Sequence, residues 1–284
     1  MPSRWTKYIS KSGNIRVVAV EGREVIEETI RRHDLSDPMK KGIGEAVLAG
    51  LLLAACHKPG ERINLSIQSS GPWRQAVVDS YPEGFVRAFI AAGTLGDWKN
   101  SSRGPWGNGL LTVLHTKNAE GQKPYSGTVS LETGFLDRDL NFYWQQSEQL
   151  ASNAVFSKSA RQAILVQAIA GATPEEVKVI HECTEELRKL AEQEVLKIVE
   201  PLNRIFSESN FSVIEDNLVQ FRCNCSQERV EQALLLTSVE DLRYLLGEHT
   251  SIDTKCDFCS THYIVSRARA EELIKTLENR KTRN

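Results

Sequence analysis

The sequence lacks any apolar run long enough to cross a membrane as a helix. The longest run, from Ala46 to Cys56, has eleven residues, whereas a transmembrane helix needs about 20. This run is better interpreted as a buried helix. The N-terminus also has no apolar segment followed by a small-residue cleavage site, so we expect neither membrane insertion nor export.

An excess of either charge is absent as well. Lys and Arg number 35 and Asp and Glu number 37, which leaves a net charge of −2. A protein whose main task is to bind nucleic acid or anionic lipid normally carries an excess of positive charge. The sequence therefore predicts neither of these partners. No nucleophile with a base and no pair of carboxylates stands out either, so we predict that the protein is not an enzyme.

Cysteine is scarce, with six residues among 284, too few for a fold built on disulfides. Their placement is uneven, because Cys56 and Cys183 stand alone while the other four lie close together near the C-terminus. In a reducing compartment such a pair-plus-pair cluster is more typical of a metal site than of structural disulfides.

The rest of the pattern predicts an α+β protein with a β-rich N-terminal core and packed helices. Alternation such as that of Ile63, Leu65 and Ile67 indicates half-buried strands. Helices are expected over 24–33, 38–57 and 136–149. We divide the chain into a core domain (1–170), a helical linker (171–217) and a small C-terminal zinc-binding domain (218–284).

The sequence pattern of the linker predicts one long helix that ends at Pro201. Thr173 is followed by Pro and then by Glu three residues after the cap, which is a strong helix start. Of the 26 residues over 175–200, 12 are charged, so the apolar face is narrow and the helix depends on tertiary docking. A solvated connector and a regulatory element are equally compatible with this pattern.

The C-terminal cysteines form a C-x-C pair and a C-x-x-C pair, Cys223 with Cys225 and Cys256 with Cys259. Four thiolates can close a tetrahedral zinc site with Zn–S bonds of about 2.3 Å. If 218–225 is a strand, the first two cysteines face the same side. We therefore predict one zinc ion per chain, bound by these four residues. A zinc ion would also stabilise a domain this small.

An oxidant would act on such a site in one of two ways. Sulfur atoms around zinc lie about 3.8 Å apart, whereas a disulfide needs about 2.05 Å, so bridging either pair is incompatible with bound zinc. The site is then either a stable structural zinc site or a switch that releases zinc when it is oxidised. Spacing alone does not decide between these two.

The cysteine spacing and its neighbouring residues resemble the 33 kDa chaperonin (heat shock protein 33) family. The resemblance covers essentially the whole chain. It includes 221–229 (FRCNCSQER), 256–263 (CDFCSTHY), 71–72 (GP), 125–127 (YSG), 147–150 (SEQL) and 171–172 (GA). One departure is Ser260, at a position where glycine is commoner in the family.

This resemblance implies a cytoplasmic, bacterial holdase chaperone that is inactive when reduced and zinc-bound. It implies that oxidation forms the disulfides Cys223–Cys225 and Cys256–Cys259, releases zinc and unfolds the C-terminal domain, so that the linker loses its docking partner. The activated protein would dimerise, bind unfolding clients without ATP, and pass them to an ATP-dependent foldase system. No G-x-x-x-x-G-K-[ST] loop is present, which agrees with function without ATP.

Two other classes are weighed against this interpretation. A nucleic-acid-binding or interaction zinc module without redox switching is disfavoured because 218–284 has 10 basic and 10 acidic residues. A thiol–disulfide oxidoreductase normally places its C-x-x-C at a helix start near a βαβ unit. Here the C-x-x-C is matched by a second cysteine pair.

The remaining candidates are expected to be structural. Cys56 is predicted to be a buried core thiol, Cys183 is left unassigned with a structural role favoured, and His262 would be a ligand only by substitution. The other histidines are predicted to be scattered without a shared site, and the tryptophans to serve the core. These residues are His33, His57, His115, His181 and His249, with Trp73, Trp98 and Trp106.

Overall fold

The fold is taken from a computed structural model, which describes residues 1–92, 102–117, 123–193, 195, 198–206, 209–247 and 249–281. The predicted α+β class is confirmed. The chain forms two compact units, Met1–Arg222 and Cys223–Asn284. Trp98 lies outside the described residues.

The first unit contains an antiparallel five-stranded sheet with the strand order β10-β1-β2-β9-β8. The strands of this sheet are β1 (Arg4–Ile9), β2 (Ile15–Glu21), β8 (Ser152–Phe156), β9 (Gln162–Ala168) and β10 (Ser212–Leu218). β10 lies within the range predicted as linker, and it pairs with β1 from Arg4 to Ile9. The three-part division of the chain stays a prediction.

A second sheet has six strands in the order β11-β5-β4-β3-β6-β7. Its strands are β3 (Glu61–Ser69), β4 (Gln75–Ser80), β5 (Phe85–Ala91), β6 (Gly109–Lys117), β7 (Tyr125–Ser130) and the short β11 (Gln220–Phe221), which is parallel to β5. The alternation predicted around Ile63 holds, since β3 is buried at every second residue over most of its length.

The helix predicted from the apolar run lies between the two sheets. This helix, α2 (Asp37–Ala55), contacts β1, β2 and β9 of the first sheet and β3, β4 and β5 of the second. A helix that is apolar on all sides must be buried on all sides. Close approach to β4 requires Gly50, because a Cβ there would lie 2.6 Å from the side chain of Val78. Two further helices complete the core, α1 (Arg23–Arg31) and α3 (Leu136–Ser147).

The linker is not one helix, which corrects the prediction for 173–200. It forms α4 (Pro174–Glu182), α5 (Thr184–Ala191) and α6 (Val199–Ile205). The predicted capping box at Thr173 is present. The helix is interrupted at Cys183, which ends α4 and precedes α5. Pro201 lies in the first turn of α6 rather than ending a helix, because proline has no N–H to lose there.

These three linker helices cover one face of the first sheet. Ile180, Leu187 and Leu202, one from each helix, are fully buried in one cluster with the sheet residues Val17 and Val166. Dividing the linker into short helices lets each segment turn its own apolar side to the sheet. The burial of one side of each helix agrees with the narrow apolar face of the linker sequence.

In its described residues, the second unit is built from three helices and a hairpin. Its elements are α7 (Gln227–Leu234), α8 (Val239–Leu246), β12 (Ser251–Lys255), β13 (His262–Ser266) and α9 (Arg267–Lys281). Ser226 and Ser238 cap α7 and α8, each accepting a hydrogen bond from a backbone N–H with its side-chain oxygen. Its buried core is one small hydrophobic cluster.

Candidate metal centre

The four clustered cysteines lie on two irregular segments of the second unit. Cys223 and Cys225 lie between β11 and α7, and Cys256 and Cys259 lie in the turn between β12 and β13. The predicted strand over 218–225 is wrong at the cysteines, because strand pairing ends at Phe221. The segment then approaches the N-terminus of α7, where Ser226 caps the helix.

The four sulfur atoms come together. The distance between Sγ of Cys223 and Sγ of Cys256 is 3.8 Å, and that between Sγ of Cys225 and Sγ of Cys259 is 3.3 Å. All four lie within 4.8 Å of one another. Sulfur ligands of one tetrahedral zinc ion lie about 3.8 Å apart, so the four cysteines can hold a metal ion.

A tight turn presents the second pair. The N–H of Cys256 donates to the carbonyl of Thr261 at 2.9 Å, and the N–H of Ser260 donates to the carbonyl of Cys256 at 2.8 Å. Ser260 has a φ of 60°, in the left-handed region that glycine adopts more easily. This conformation explains why glycine suits the position at which this chain carries serine.

Two hydroxyl groups contact the sulfur atoms from outside. The Tyr263 hydroxyl donates to Sγ of Cys225 at 2.9 Å, and Oγ1 of Thr261 lies 3.2 Å from Sγ of Cys259. Such outer contacts orient thiolates and influence their reactivity. Neither partner was singled out in the sequence, although both lie within four residues of Cys259.

The environment favours a negatively charged sulfur in the cluster. Burial acts to raise the pKa of Cys259, but hydrogen bonds from Thr261 and the neighbouring thiols outweigh it and lower that pKa below its ordinary value. Burial raises the pKa of Cys225. A thiolate at Cys259 suits a bound cation, because an opposite charge favours the ionised form.

Comparisons with known proteins agree with the fold. The family model described as Hsp33 protein matches residues 3–266. The chain belongs to the Hsp33 family. This is a family of chaperones with bacterial members, not of enzymes.

Similar curated members of the Hsp33 family include two named 33 kDa chaperonin. The one from Bacillus cytotoxicus is 27% identical over 289 residues, covering 95% of this chain and 98% of its own. The one from Geobacter sulfurreducens is 29% identical over 291 residues, covering 95% and 94%. The crystal structure of the Thermotoga maritima 33 kDa chaperonin matches with a TM-score of 0.81 and 25% identity, over 98% of this chain and 100% of that chain.

Outside the four-cysteine cluster, the other two cysteines of this Hsp33 chain lie apart. Cys183 is buried, and burial raises its pKa to about 12. Cys56, predicted to be a buried core thiol, is half-buried and packs against the core. Its Sγ donates to Oε1 of Gln167 at 3.3 Å, and burial raises its pKa too. His262 contacts Asp253 at 3.2 Å and does not join the sulfur cluster. Each therefore has a structural environment.

Trp73 and Trp106 lie in the core, as predicted.

No helix within the described ranges is both long and apolar enough to cross a membrane.

The prediction that the histidines are scattered is wrong for two of them. The ring centroids of His57 and His115 are 4.6 Å apart, and one carboxylate, Glu148, lies beside both. Burial lowers the pKa of each imidazole to about 4. The residues come from distant parts of the chain, so no local spacing could have indicated this contact.

Proposed function

We propose that this chain is a redox-regulated, ATP-independent holdase chaperone that is inactive when reduced and zinc-bound. The observation that carries the proposal is that each cysteine of one pair contacts a cysteine of the other, at 3.8 Å and 3.3 Å. Four thiolates in this arrangement suit one zinc ion per chain, because zinc takes four sulfur ligands in tetrahedral geometry.

Oxidation would convert the four ligands into the disulfides Cys223–Cys225 and Cys256–Cys259. In each pair two thiolates lose two electrons as the S–S bond forms. One hydrogen peroxide molecule accepts these electrons and two protons and leaves as two molecules of water. Zn²⁺ leaves with its charge unchanged. Pairing within each motif is supported by the entropy of loop closure. Once the unit has unfolded, each of these disulfides closes a short loop, which costs less entropy than a long loop.

Loss of zinc would unfold the second unit. Its core is small and contains Leu242, Val265 and Ala270 among few buried residues. Structural zinc contributes about 10–16 kcal/mol to the folding of small domains, far more than a core of this size supplies. The ion would therefore be the main stabilising contact in this unit.

We propose that activation also releases the linker helices from the first sheet, which would expose a client-binding surface. The linker helices cover apolar sheet residues such as Val17, Val155 and Val166, and a linker that depends on docking is poorly stable alone. Exposed apolar surface binds unfolding proteins and second copies of the chain. We propose that the activated protein dimerises, binds unfolded clients in the cytoplasm and passes them to an ATP-dependent foldase.

The proposal is tested by light scattering of a heat-labile client protein. The chain is added either reduced and zinc-loaded or after mild peroxide treatment, while a chromogenic chelator records released zinc. We expect only the oxidised form to suppress aggregation, with about one zinc released per chain. Disulfide mapping by mass spectrometry should find the two bridges within the motifs.

Two variants serve as a matched pair of controls. Cys256→Ser removes one ligand and should abolish tight zinc binding, whereas Cys183→Ser lies outside the cluster and should behave as the unmodified chain. The cluster would be only a structural zinc site if the reduced and oxidised forms suppressed aggregation equally, or if zinc stayed bound under peroxide.

A further inference from the structure

A second group of potential metal ligands lies in the first unit. His57 follows α2, His115 is on β6, and Glu148 follows α3. One nitrogen or carboxylate oxygen from each residue lies within 4.8 Å of the other two. Three separate elements of the core therefore bring two imidazoles and a carboxylate to one point.

Each of these residues has a buried polar atom without a hydrogen-bond partner among the described residues. The atoms are Nε2 of His57, Nδ1 of His115 and Oε1 of Glu148. His115 is only 1% exposed. A buried unpaired acceptor costs about 1–3 kcal/mol, and such atoms are rare in folded proteins. Three of them on neighbouring residues indicate a ligand that accepts their lone pairs.

The outer contacts show which nitrogen atoms carry protons. Nδ1 of His57 lies 3.1 Å from a carboxylate oxygen of Glu61, so the proton lies on Nδ1. Nε2 of His115 lies 3.1 Å from the hydroxyl of Tyr143, whereas its Nδ1 has no partner among the described residues. The tautomer with the proton on Nε2 satisfies this contact and leaves a lone pair on Nδ1, just as the proton on Nδ1 of His57 leaves a lone pair on Nε2.

This pattern matches the outer contacts of known metal sites. Histidine ligands usually donate their second ring nitrogen to a carboxylate or another acceptor, which fixes the ring orientation. Here Glu61 does so for His57, and Tyr143 for His115. The ring of His115 also stacks on Tyr125, with centroids 4.2 Å apart. Both rings are therefore held in place before any ligand arrives.

We propose that Nε2 of His57, Nδ1 of His115 and Oε1 of Glu148 form a second metal site, which binds a divalent first-row transition ion such as Zn²⁺. Two histidines and one glutamate are an established zinc ligand set, with bonds of about 2.0–2.2 Å. Ligand atoms of one ion lie about 3.3 Å apart, and those of the three side chains lie within 4.8 Å of one another, so the side chains would move closer together on binding. A fourth position stays open to water.

Lys7, Arg16 and Lys117 lie near the site. Burial and the positive charge of these three residues lower the pKa of His57, so the carboxylate of Glu148 has to offset this charge for a cation to bind. Lys7 pairs with Glu215 at 2.5 Å and Lys117 with Glu61 at 3.7 Å. Arg16 donates to Gln167 at 2.6 Å, while its Nε has no partner among the described residues. His57 and Glu148 are half-buried as residues, so the group lies close to the surface although its three unpartnered atoms are buried.

The test counts metal ions in the reduced full-length chain by equilibrium dialysis against buffered Zn²⁺ and mass spectrometry of the metal. We expect two ions per chain. His57→Asn keeps an amide donor toward Glu61 but removes Nε2, and Glu148→Gln keeps the side-chain shape but removes the charge. Each variant should retain one ion, and its affinity for the second ion should fall at least about 100-fold. Even outer contacts contribute 10- to 100-fold to metal affinity.

Co²⁺ separates the second site from the cysteine cluster. The ion bound by cysteines shows thiolate-to-cobalt charge-transfer absorption, whereas an ion bound by nitrogen and oxygen adds only ligand-field bands. His181→Gln is the matched control, because His181 is exposed and outside the group, and should still bind two ions.

A chain that binds one ion only, or two ions unaffected by Glu148→Gln, overturns the proposal. The first result means that a buried water or a shared proton occupies the group instead. Circular dichroism checks that each variant is folded, and if His57→Asn does not fold, Glu148→Gln decides alone. Neither result depends on whether the cysteine cluster responds to oxidants.

Discussion

Tyr263 is the outer contact of the cysteine cluster that a single substitution tests most directly. Its hydroxyl donates to Sγ of Cys225 at 2.9 Å, and such a bond stabilises the thiolate and reduces its nucleophilicity. We expect Tyr263→Phe to weaken zinc binding by about 10-fold and to speed zinc release by peroxide. Chelator competition and stopped-flow zinc release measure both effects.

The matched control is Tyr244→Phe. Tyr244 is in the same unit, on α8, and is 87% exposed. This variant should bind and release zinc as the unmodified chain does. If both variants behave alike, the hydroxyl of Tyr263 has no influence on the cluster.

At this same scale, the sequence predicts the four cysteines but not their surroundings. The spacing of two motifs is enough to indicate a metal site, because it restricts which chemistry the residues can serve. The hydroxyl contacts depend on the turn around Ser260, whose φ of 60° is not encoded by spacing. The group around His57 depends on how helices and a strand from distant segments pack together.

The docked linker is the element whose stability matters most for the proposed switch. Leu187 on α5 is fully buried against the first sheet, whereas Leu190 on the same helix is only partly buried. Leu187→Ala should remove about 2–5 kcal/mol of packing. We expect faster amide exchange over 174–205 and client binding at lower oxidant concentration, with Leu190→Ala affecting both much less.

Amide exchange within β9 provides an internal reference for this experiment. β9 lies in the interior of the sheet, between β2 and β8, and its amides should stay protected in both variants. Faster exchange in β9 as well would mean that Leu187→Ala destabilises the whole unit rather than the linker.

Elements differed in how well the sequence predicted them. β3 and α2 were predicted because alternation and an unbroken apolar run each point to one structure. β9 was missed because all seven of its residues are buried, so it has no alternation. The linker was predicted as one helix because its sequence, rich in charged residues, shows no signal for the interruption of the helix at Cys183. Only the packing against the sheet decides where that break falls.

On the scale of the whole molecule, the two units should lose their structure separately when metal is removed. All five tryptophans precede residue 223 in the sequence, so tryptophan fluorescence reports on the first unit alone. The second unit contributes α7, α8 and α9. A strong chelator under reducing conditions should therefore reduce the helical signal in far-ultraviolet circular dichroism while tryptophan emission stays that of a buried indole.

The physical reason is the difference between the two cores. Trp5, Trp106 and Trp144 are fully buried in the large cluster of the first unit, which does not depend on the cysteine ligands. The second unit has one small cluster and should need the ion to fold. Restoring Zn²⁺ should recover the helical signal. A red shift of tryptophan emission that parallels the loss of helical signal would mean that the units unfold together, and the cysteine cluster would then stabilise the entire chain.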